Sequence, residues 1–355
     1  MFQSVNLVKD RKIRIGVVGC GKIASNHFNS LSQLPDQFEL VGICDNHADT
    51  LEKTSTALGV EGYGDLDAML AAKPELDLLT LCSPSGLHAK QTIHIAGKNK
   101  HVVTEKPMAT RWSDGIDMVN ACDKAKVNLF VVKQNRYQPA LQWLKQALNM
   151  NRFGRVYLVN LNVFWTRPQR YYDQAKWRGT WEFDGGAFMN QASHYVDLLD
   201  WLIGPVQSVQ AMMSTLAINM EAEDTGVLNI RWRSGALGSM NVTMLTYPKN
   251  LEASLTVLGE KGSVKIGGLS ANRIDHWEFA EAHEMDEQAQ QLNQATSQQP
   301  PYLGHKTYYE NVAKTLRGEA EADIDGRAGL RSLEILVAAY LSARDNNTIN
   351  LPLIY

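Results

Sequence analysis

Cysteine is scarce in this chain: there are four in 355 residues, and none belongs to a CxxC pair. Cys20, Cys44, Cys82 and Cys122 stand far apart, which excludes a zinc ribbon or a dithiol redox centre and leaves four free thiols of the packing kind. HxH and HExxH spacings are missing as well, so no metal site is expected. No stretch is apolar for the ~18 residues a membrane span requires. The opening MFQSVNLVKDRKIRIG has no apolar run behind its charges, so the expectation is a cytoplasmic protein without a membrane partner. Basic excess is absent too: 35 Lys and Arg stand against 38 Asp and Glu, a net charge of -3 that gives no general attraction to nucleic acid. There is no internal repeat, which removes solenoids and propellers. A small-molecule partner remains.

Against these absences, 44% hydrophobic and 21% charged residues provide ordinary globular composition, and the length suits two domains. The first part alternates short Val-, Ile- and Leu-rich runs (KIRIGVV, ELVGICD, LDLLTLC, KHVVTE, NLFVVK) with amphipathic segments near 22–33, 48–58, 86–98 and 113–126. Near-continuous apolar strands separated by helices indicate a parallel sheet covered on both faces, a Rossmann-type α/β domain over residues 1–135. From about residue 155 the runs lengthen and alternate (VYLVNLNVFW, VQSVQAMMSTL, TGVLNIRW, GALGSMNVTML, ASLTVLG, GSVKIGG), which predicts a C-terminal α+β domain over 136–355 with a large, mostly antiparallel sheet. The Gln-rich, acidic stretch from Glu281 to Gln299 reads as an exposed loop. Helices are expected near 302–317 and 327–344, with the last helix and terminal strand packing back near the first domain.

Directly after the first strand comes Gly19-Cys20-Gly21-Lys22-Ile23-Ala24, a GxGxxA form of the dinucleotide fingerprint. Gly19 permits the tight turn, Gly21 lets a pyrophosphate approach the backbone, and Ala24 lets helix and strand pack closely. Gly19, Gly21, Lys22 and Ile23 are therefore placed at the cofactor. Asp45, at the end of the second strand, is placed to accept hydrogen bonds from the ribose hydroxyls. Its charge repels a 2′-phosphate and so favours NAD over NADP. The alternative role for Asp45 is to cap the helix that follows.

Two further loops lie at the carboxyl ends of strands, where doubly wound sheets bind ligands: Ser83-Pro84-Ser85-Gly86-Leu87-His88 and Glu105-Lys106-Pro107. Ser83, Ser85, His88, Glu105 and Lys106 are expected to flank the nicotinamide half of the cofactor. A lysine beside a dinucleotide can exchange a proton with a substrate hydroxyl; the plainer alternative is a surface lysine paired with Glu105. Further on, GGAFMNQASHYVDLLDWLIG reads as one helix. Asn190, His194, Asp197 and Trp201 recur on it at spacings of four, three and four, forming a polar stripe in which His and Asn on adjacent turns can grip a hydroxyl; the plainer alternative is a solvated face.

Taken together these residues resemble the glucose-fructose oxidoreductase, inositol dehydrogenase and MocA (Gfo/Idh/MocA) family of sugar dehydrogenases, over nearly the whole chain. Glu105-Lys106-Pro107 is that family's most recognisable mark. The resemblance implies that Lys106 is catalytic and that Asn190, His194 and Asp197 correspond to its GGxxxDxxxHxxD-like helix. Asn190 stands where many members have Asp; an amide is no general base, which shifts acid/base work to Lys106 and His194. With NRYQPALQWLKQAL and WRGTWEFDGGAFMNQASHYVDLLDWLIGP, the chain looks like the branch that oxidises UDP-2-acetamido-2-deoxyglucuronate (UDP-GlcNAcA) at C3 in bacterial surface-polysaccharide synthesis. That branch implies a nucleotide-sugar substrate, NAD, a homotetramer and, in some members, 2-oxoglutarate as hydride acceptor.

The residues themselves agree with an anionic substrate. Between positions 165 and 183 lie six aromatics, with Arg167, Arg170, Lys176 and Arg178 opposed only by Asp173 and Glu182. Aromatics stack on a uracil or sugar face and arginines fork onto a carboxylate or diphosphate, so Arg167, Tyr172, Trp177 and Arg178 join Lys106, Asn190 and His194 as expected substrate contacts. An aromatic cluster at a subunit contact is the structural alternative. Dehydrogenases of inositol or simple aldoses, and a non-catalytic NAD-binding sensor, are the functional ones.

Overall fold

The computed structural model of the protein describes residues 6–295 and 303–353. It divides into two compact units, Met1–Gln134 with Pro300–Leu330, and Asn135–Gln299 with Arg331–Tyr355.

In the first unit, strands β1 (Ile13–Val18), β2 (Phe38–Cys44), β3 (Gly62–Tyr63), β4 (Leu78–Leu81), β5 (His101–Thr104) and β6 (Leu129–Val131) form one sheet in the order β3-β2-β1-β4-β5-β6. Every pairing is parallel. Helices α1 (Ala24–Ser32), α2 (Ala48–Leu58), α3 (Leu66–Ala72), α4 (His88–Gly97) and α5 (Trp112–Ala125) cross between strands. β4 and β5 are buried at every position, as the continuous apolar runs predict for a strand covered on both faces. β1 neighbours both β2 and β4, so the strand order reverses there; the loops leaving β1 and β4 open the crevice in which such sheets bind ligands.

The second unit contains α6 (Pro139–Asn149), β7 (Val156–Phe164), α7 (Gln169–Tyr172), α8 (Ser193–Leu198), β8 (Val206–Ser214), β9 (Thr225–Trp232), β10 (Leu237–Thr243), β11 (Glu252–Gly259), β12 (Gly262–Gly267), β13 (Arg273–Phe279) and α9 (Glu284–Ala295). The chain then returns to the first unit with α10 (Leu303–Arg317). α11 (Gly326–Asp345) begins there and runs into the second unit, which ends with β14 (Ile349–Asn350). The eight-stranded sheet runs β13-β12-β11-β7-β10-β9-β8-β14, antiparallel except at β7–β10. Along β9, Gly226, Leu228, Ile230 and Trp232 are buried while alternate residues are not, the signature of a sheet packed on one face.

Three expectations need correction. The stretch read as a loop from Glu281 carries α9: its Gln, Glu and Ala are good helix formers, and Glu284, Asp286 and Glu287 suit the positive end of the helix dipole. Asp286 also anchors that end, accepting from Arg152 at 2.5 and 3.0 Å and from the Trp277 indole at 2.7 Å. Residues 296–299 of that stretch, and 302 at the start of the next expected helix, lie outside the described residues. Second, it is α10, and not the terminal strand, that returns to the first unit; β14 pairs with β8 of the eight-stranded sheet. Third, the expected single helix after Gly186 is a π turn (Ala187–Gln191), α8, and a second π turn (Leu199–Ile203). Each π turn changes the angular step, so a stripe drawn at regular helical spacing does not survive.

Candidate active site

The glycine turn in the first unit is shaped for a phosphate. Gly19 has φ +92, and a Cβ there would lie 2.7 Å from the Cys82 carbonyl carbon, so only glycine fits. At Gly21 a Cβ would meet nothing within 4 Å, and the space a side chain would fill is open beside the N-terminus of α1. That open space, with the helix dipole behind it, suits the pyrophosphate of a dinucleotide. Lys22 is exposed and Ile23 half-buried on the same turn, while Ala24 is buried where α1 meets the sheet.

Asp45 stands beside the turn, but its carboxylate also bonds the protein: Oδ2 accepts from Cys20 N at 2.7 Å and Oδ1 from His47 N at 2.8 Å. The cap of α2 is His47, whose Nδ1 accepts from Thr50 N, so the alternative role weighed for Asp45 belongs to His47.

On the loop after β4, Ser83 Oγ donates to Gln91 Oε1 at 2.5 Å, and Ser85 is buried. His88 is buried with Nε2 2.9 Å from Ser83 O and Nδ1 3.0 Å from Pro107 O; the ring ties this loop to the Lys106–Pro107 loop, whose peptide is cis. Burial lowers the His88 pKa despite those two carbonyls, which argues for a neutral ring that donates to one of them at a time. Lys106 is half-buried.

Glu105, expected at the cofactor, instead turns its carboxylate to a buried network. It is 4% exposed; Oε1 lies 2.9 Å from His27 Nε2 and 3.5 Å from His305 Nε2, and Oε2 accepts from Lys106 N at 3.0 Å. One ligand atom from each of His27, Glu105 and His305 lies within 4.8 Å of the others, a cluster that short-spacing motifs do not reveal because α1, the end of β5 and α10 each supply one member.

In the second unit, Asn190 lies on the first π turn and donates through Nδ2 to Asp184, whose other oxygen accepts from Gly179 N at 2.7 Å. His194, on α8, is 8% exposed. Asp197 is committed elsewhere, held bidentate by Arg136 at 2.7 Å through both bonds, with both side chains buried. Beneath the turn lies Glu223, fully buried. Its Oε1 accepts from Phe188 N at 2.8 Å and from Tyr340 Oη at 2.9 Å, while its backbone carbonyl accepts from Ala187 N. A Cβ on Gly186 would fall 2.0 Å from Glu223 Oε2, which is why glycine is required there. Burial pushes the Glu223 carboxyl up to about 7.

The aromatic segment forms a guanidinium cradle. Arg167 lies over the rings of Trp165 and Tyr171, at 5.1 and 5.5 Å; Arg178 lies over Tyr171 and Trp177, at 4.4 and 4.6 Å. Arg167 Nε donates to Gln191 Oε1 at 2.9 Å, Gln191 Nε2 to Tyr171 Oη at 3.0 Å, and Arg178 Nη1 to the same phenol at 2.6 Å. Among the described residues neither arginine has a carboxylate partner, and the buried Arg178 Nε has no hydrogen-bond acceptor. Tyr172, expected to touch substrate, is 7% exposed and packs edge-on against Tyr171, which takes the polar part instead. Sequence reasoning missed Tyr171, Gln191, Asp184 and Glu223. Asp184 and Glu223 are signalled only by their nearness, in sequence or space, to the Gly185-Gly186 pair.

Family models match both parts of the chain: the NAD-binding Rossmann fold of the Gfo/Idh/MocA oxidoreductases over residues 13–133, and their C-terminal alpha/beta domain over 145–351. The chain is similar to the WlbA dehydrogenase of Chromobacterium violaceum, whose crystal structure holds NADH and UDP-GlcNAcA. Identity is 59%, coverage 99% of both chains and the TM-score 0.94. The WlbA dehydrogenase of Bordetella pertussis, with the same two ligands, is 57% identical over 98% of this chain and 100% of its own, with a TM-score of 0.95. More distant is the D-apiose dehydrogenase of Paraburkholderia graminis, 25% identical over 96% of this chain and 90% of its own length. This chain is therefore a member of the Gfo/Idh/MocA oxidoreductase family, matching that family's NAD-binding and C-terminal domains in turn.

Proposed function

We propose that the protein oxidises the C3 hydroxyl of UDP-GlcNAcA to the 3-keto sugar, using NAD, in the cytoplasmic stage of bacterial surface-polysaccharide (lipopolysaccharide O-antigen) synthesis. The observation that carries the reading is the cradle of Arg167 and Arg178. Two guanidinium groups held on aromatic faces, with no carboxylate partner among the described residues, call for an anion, and a uronate or diphosphate matches their fork geometry. The likeness to the two WlbA dehydrogenases supports the same substrate class.

NAD, when bound, supplies the hydride acceptor. Gly21 leaves room for its pyrophosphate, and Asp45 offers its remaining lone pairs to the ribose. Lys106, on the loop at the carboxyl end of β5 on the crevice side of the sheet, takes the proton of the C3 hydroxyl as the hydride leaves carbon. His194 is the second group able to hold that proton. Asn190, an amide at every working pH, orients a hydroxyl by hydrogen bonding and neither gives nor takes the proton. Acid/base assistance of this kind contributes typically about 10²- to 10⁴-fold.

A homotetramer belongs to the same reading. The strands of the eight-stranded sheet carry a row of exposed apolar side chains: Leu258, Leu158 and Leu237 are directly paired across β11, β7 and β10, and Met212 pairs with Val227 across β8 and β9. An apolar face of this kind suits packing between subunits. 2-Oxoglutarate is the candidate acceptor for regenerating NAD, being reduced to 2-hydroxyglutarate as bound NADH is oxidised.

The test compares UDP-GlcNAcA with UDP-N-acetylglucosamine, which lacks the uronate. The reading expects a kcat/KM ratio of at least about 100 in favour of the uronate, falling by most of that factor in Arg178→Met or Arg167→Met. Equal kcat/KM for the two sugars in the wild type would overturn it.

A further inference from the structure

The backbone N–H of Lys106 donates to the buried carboxylate of the residue before it. Glu105 is ionised: burial alone would raise its pKa, but the hydrogen bond from His27, with His305 close to the same oxygen, outweighs burial and holds it well below the usual carboxylate range. Burial holds His27 below the ordinary imidazole value, so the ring is neutral and carries one proton. An anionic Glu105 can only accept, so that proton sits on His27 Nε2. Nδ1 must then accept, and it lies 2.8 Å from Tyr309 Oη; Tyr309 in turn lies 2.9 Å from Thr80 Oγ1, the next donor. Donation runs one way from Thr80 on β4 through Tyr309 on α10 and His27 on α1 to Glu105 Oε1, and the same carboxylate accepts the Lys106 N–H at its other oxygen.

His305 stands at the same carboxylate oxygen, 3.5 Å away, and neither of its ring nitrogens makes a well-formed hydrogen bond among the described residues. The other groups that feel Glu105 are Cys82 after β4 and His88 at the start of α4, which itself also feels Lys106. Both stand at loops already placed around the cofactor.

We propose that Glu105, His27 and His305 are positioning residues for hydride transfer: they hold a buried carboxylate that fixes the backbone of Lys106 and links it to α1, the helix that opens at the dinucleotide turn. The inference rests on the proposed acid/base role of Lys106. The network occupies a place where a metal ion could be bound, but His27 already has a partner at each nitrogen, which a hydrogen-bonded relay explains and an ion does not require.

The full-length enzyme tests it through Glu105→Gln and a His27 pair. Glu105→Gln keeps the shape and removes the charge. It is expected to lower kcat roughly 10- to 100-fold while KM for NAD changes less than about threefold. It should also move the kcat pH limb that Lys106→Ala abolishes to lower pH, because a lysine ammonium loses a stabilising anion. A merely structural role would not move that limb. His27→Leu removes the donor and should lower kcat in the same way, and His27→Gln, whose amide can still donate, should restore most of it. If Glu105→Gln does not fold, the His27 pair decides the matter. Wild-type kcat and an unmoved limb in Glu105→Gln, or equal kcat in the two His27 variants, would overturn the proposal while leaving Lys106 in place. One equivalent of tightly held transition metal in the purified protein would also overturn it. Near-normal turnover of Lys106→Ala would instead remove the role of Lys106, and this proposal with it.

Discussion

Asp45 Oδ2 accepts the backbone N–H of Cys20 at 2.7 Å, so the acidic residue that ends β2 also braces the glycine turn that follows β1. One carboxylate thus shapes the glycine turn and, in the proposed function, offers its remaining lone pairs to the ribose. Asp45→Ala should raise the dissociation constant for NAD by at least about 10-fold, the loss of one or two hydrogen bonds to a charged acceptor. NADP should lose less, since a 2′-phosphate is no longer repelled. Titration calorimetry with both cofactors measures the two constants, and an unchanged NAD to NADP ratio would contradict the assignment.

The two glycines of the turn should respond differently to alanine. Gly19→Ala strains a positive φ and drives a methyl into the Cys82 backbone, so it should cost stability, about 1–3 kcal/mol, along with cofactor binding. Gly21→Ala places its methyl in open space and should leave the melting temperature of the cofactor-free protein unchanged, while weakening NAD at least about 10-fold. Thermal melts with and without NAD separate the two; equal stability losses would contradict the cradle.

Asp197 pairs with Arg136 in the interior, and removing one partner leaves a buried charge uncompensated. Asp197→Ala should destabilise the protein by about 3–5 kcal/mol, whereas replacing both residues with apolar ones of similar volume should recover most of the loss. Denaturant unfolding checks this. An Asp197→Ala protein of normal stability with abolished turnover would instead make Asp197 part of the chemistry.

Glu223 titrates near neutrality because burial opposes its charge, its pKa rising from 4.5 to about 7. The folded state therefore holds the proton more tightly than the unfolded chain. The stability this contributes is present in full below about pH 4.5 and is lost as pH rises through about 7. Glu223→Gln, which does not titrate, should gain on the wild type above pH 7 by an amount on the order of a few kcal/mol at most. Melting temperatures of both proteins at pH 5 and pH 8 test it; a gap that does not change with pH would contradict the assignment.

The parallel sheet was legible because a strand covered on both faces must be apolar throughout, and the glycine turn because its spacing is set by geometry that no other residue satisfies. The second sheet was legible from alternation. What escaped is non-local. His27 is one buried residue on an ordinary amphipathic helix, and its meaning appears only when Glu105 and His305 arrive from distant positions. The stripe failed at its ends, because π turns on either side of α8 take Asn190 and Trp201 off the regular spacing that His194 and Asp197 keep, and Asp197 went to Arg136. The exposed-loop reading of the Gln-rich segment failed because polarity was allowed to outweigh helix propensity. Tyr171 and Tyr172 are adjacent and chemically alike, so local sequence gave no basis for choosing the one whose hydroxyl meets both Arg178 and Gln191.

The central claim is tested most directly by incubating the purified enzyme with NAD and UDP-GlcNAcA, with and without 2-oxoglutarate, and determining the mass of the nucleotide sugar together with the position of its new carbonyl by borodeuteride reduction. The account predicts a sugar lighter by two hydrogen atoms, with deuterium introduced at C3. Intact UDP-GlcNAcA in both incubations, from protein shown separately to bind NAD, would contradict it.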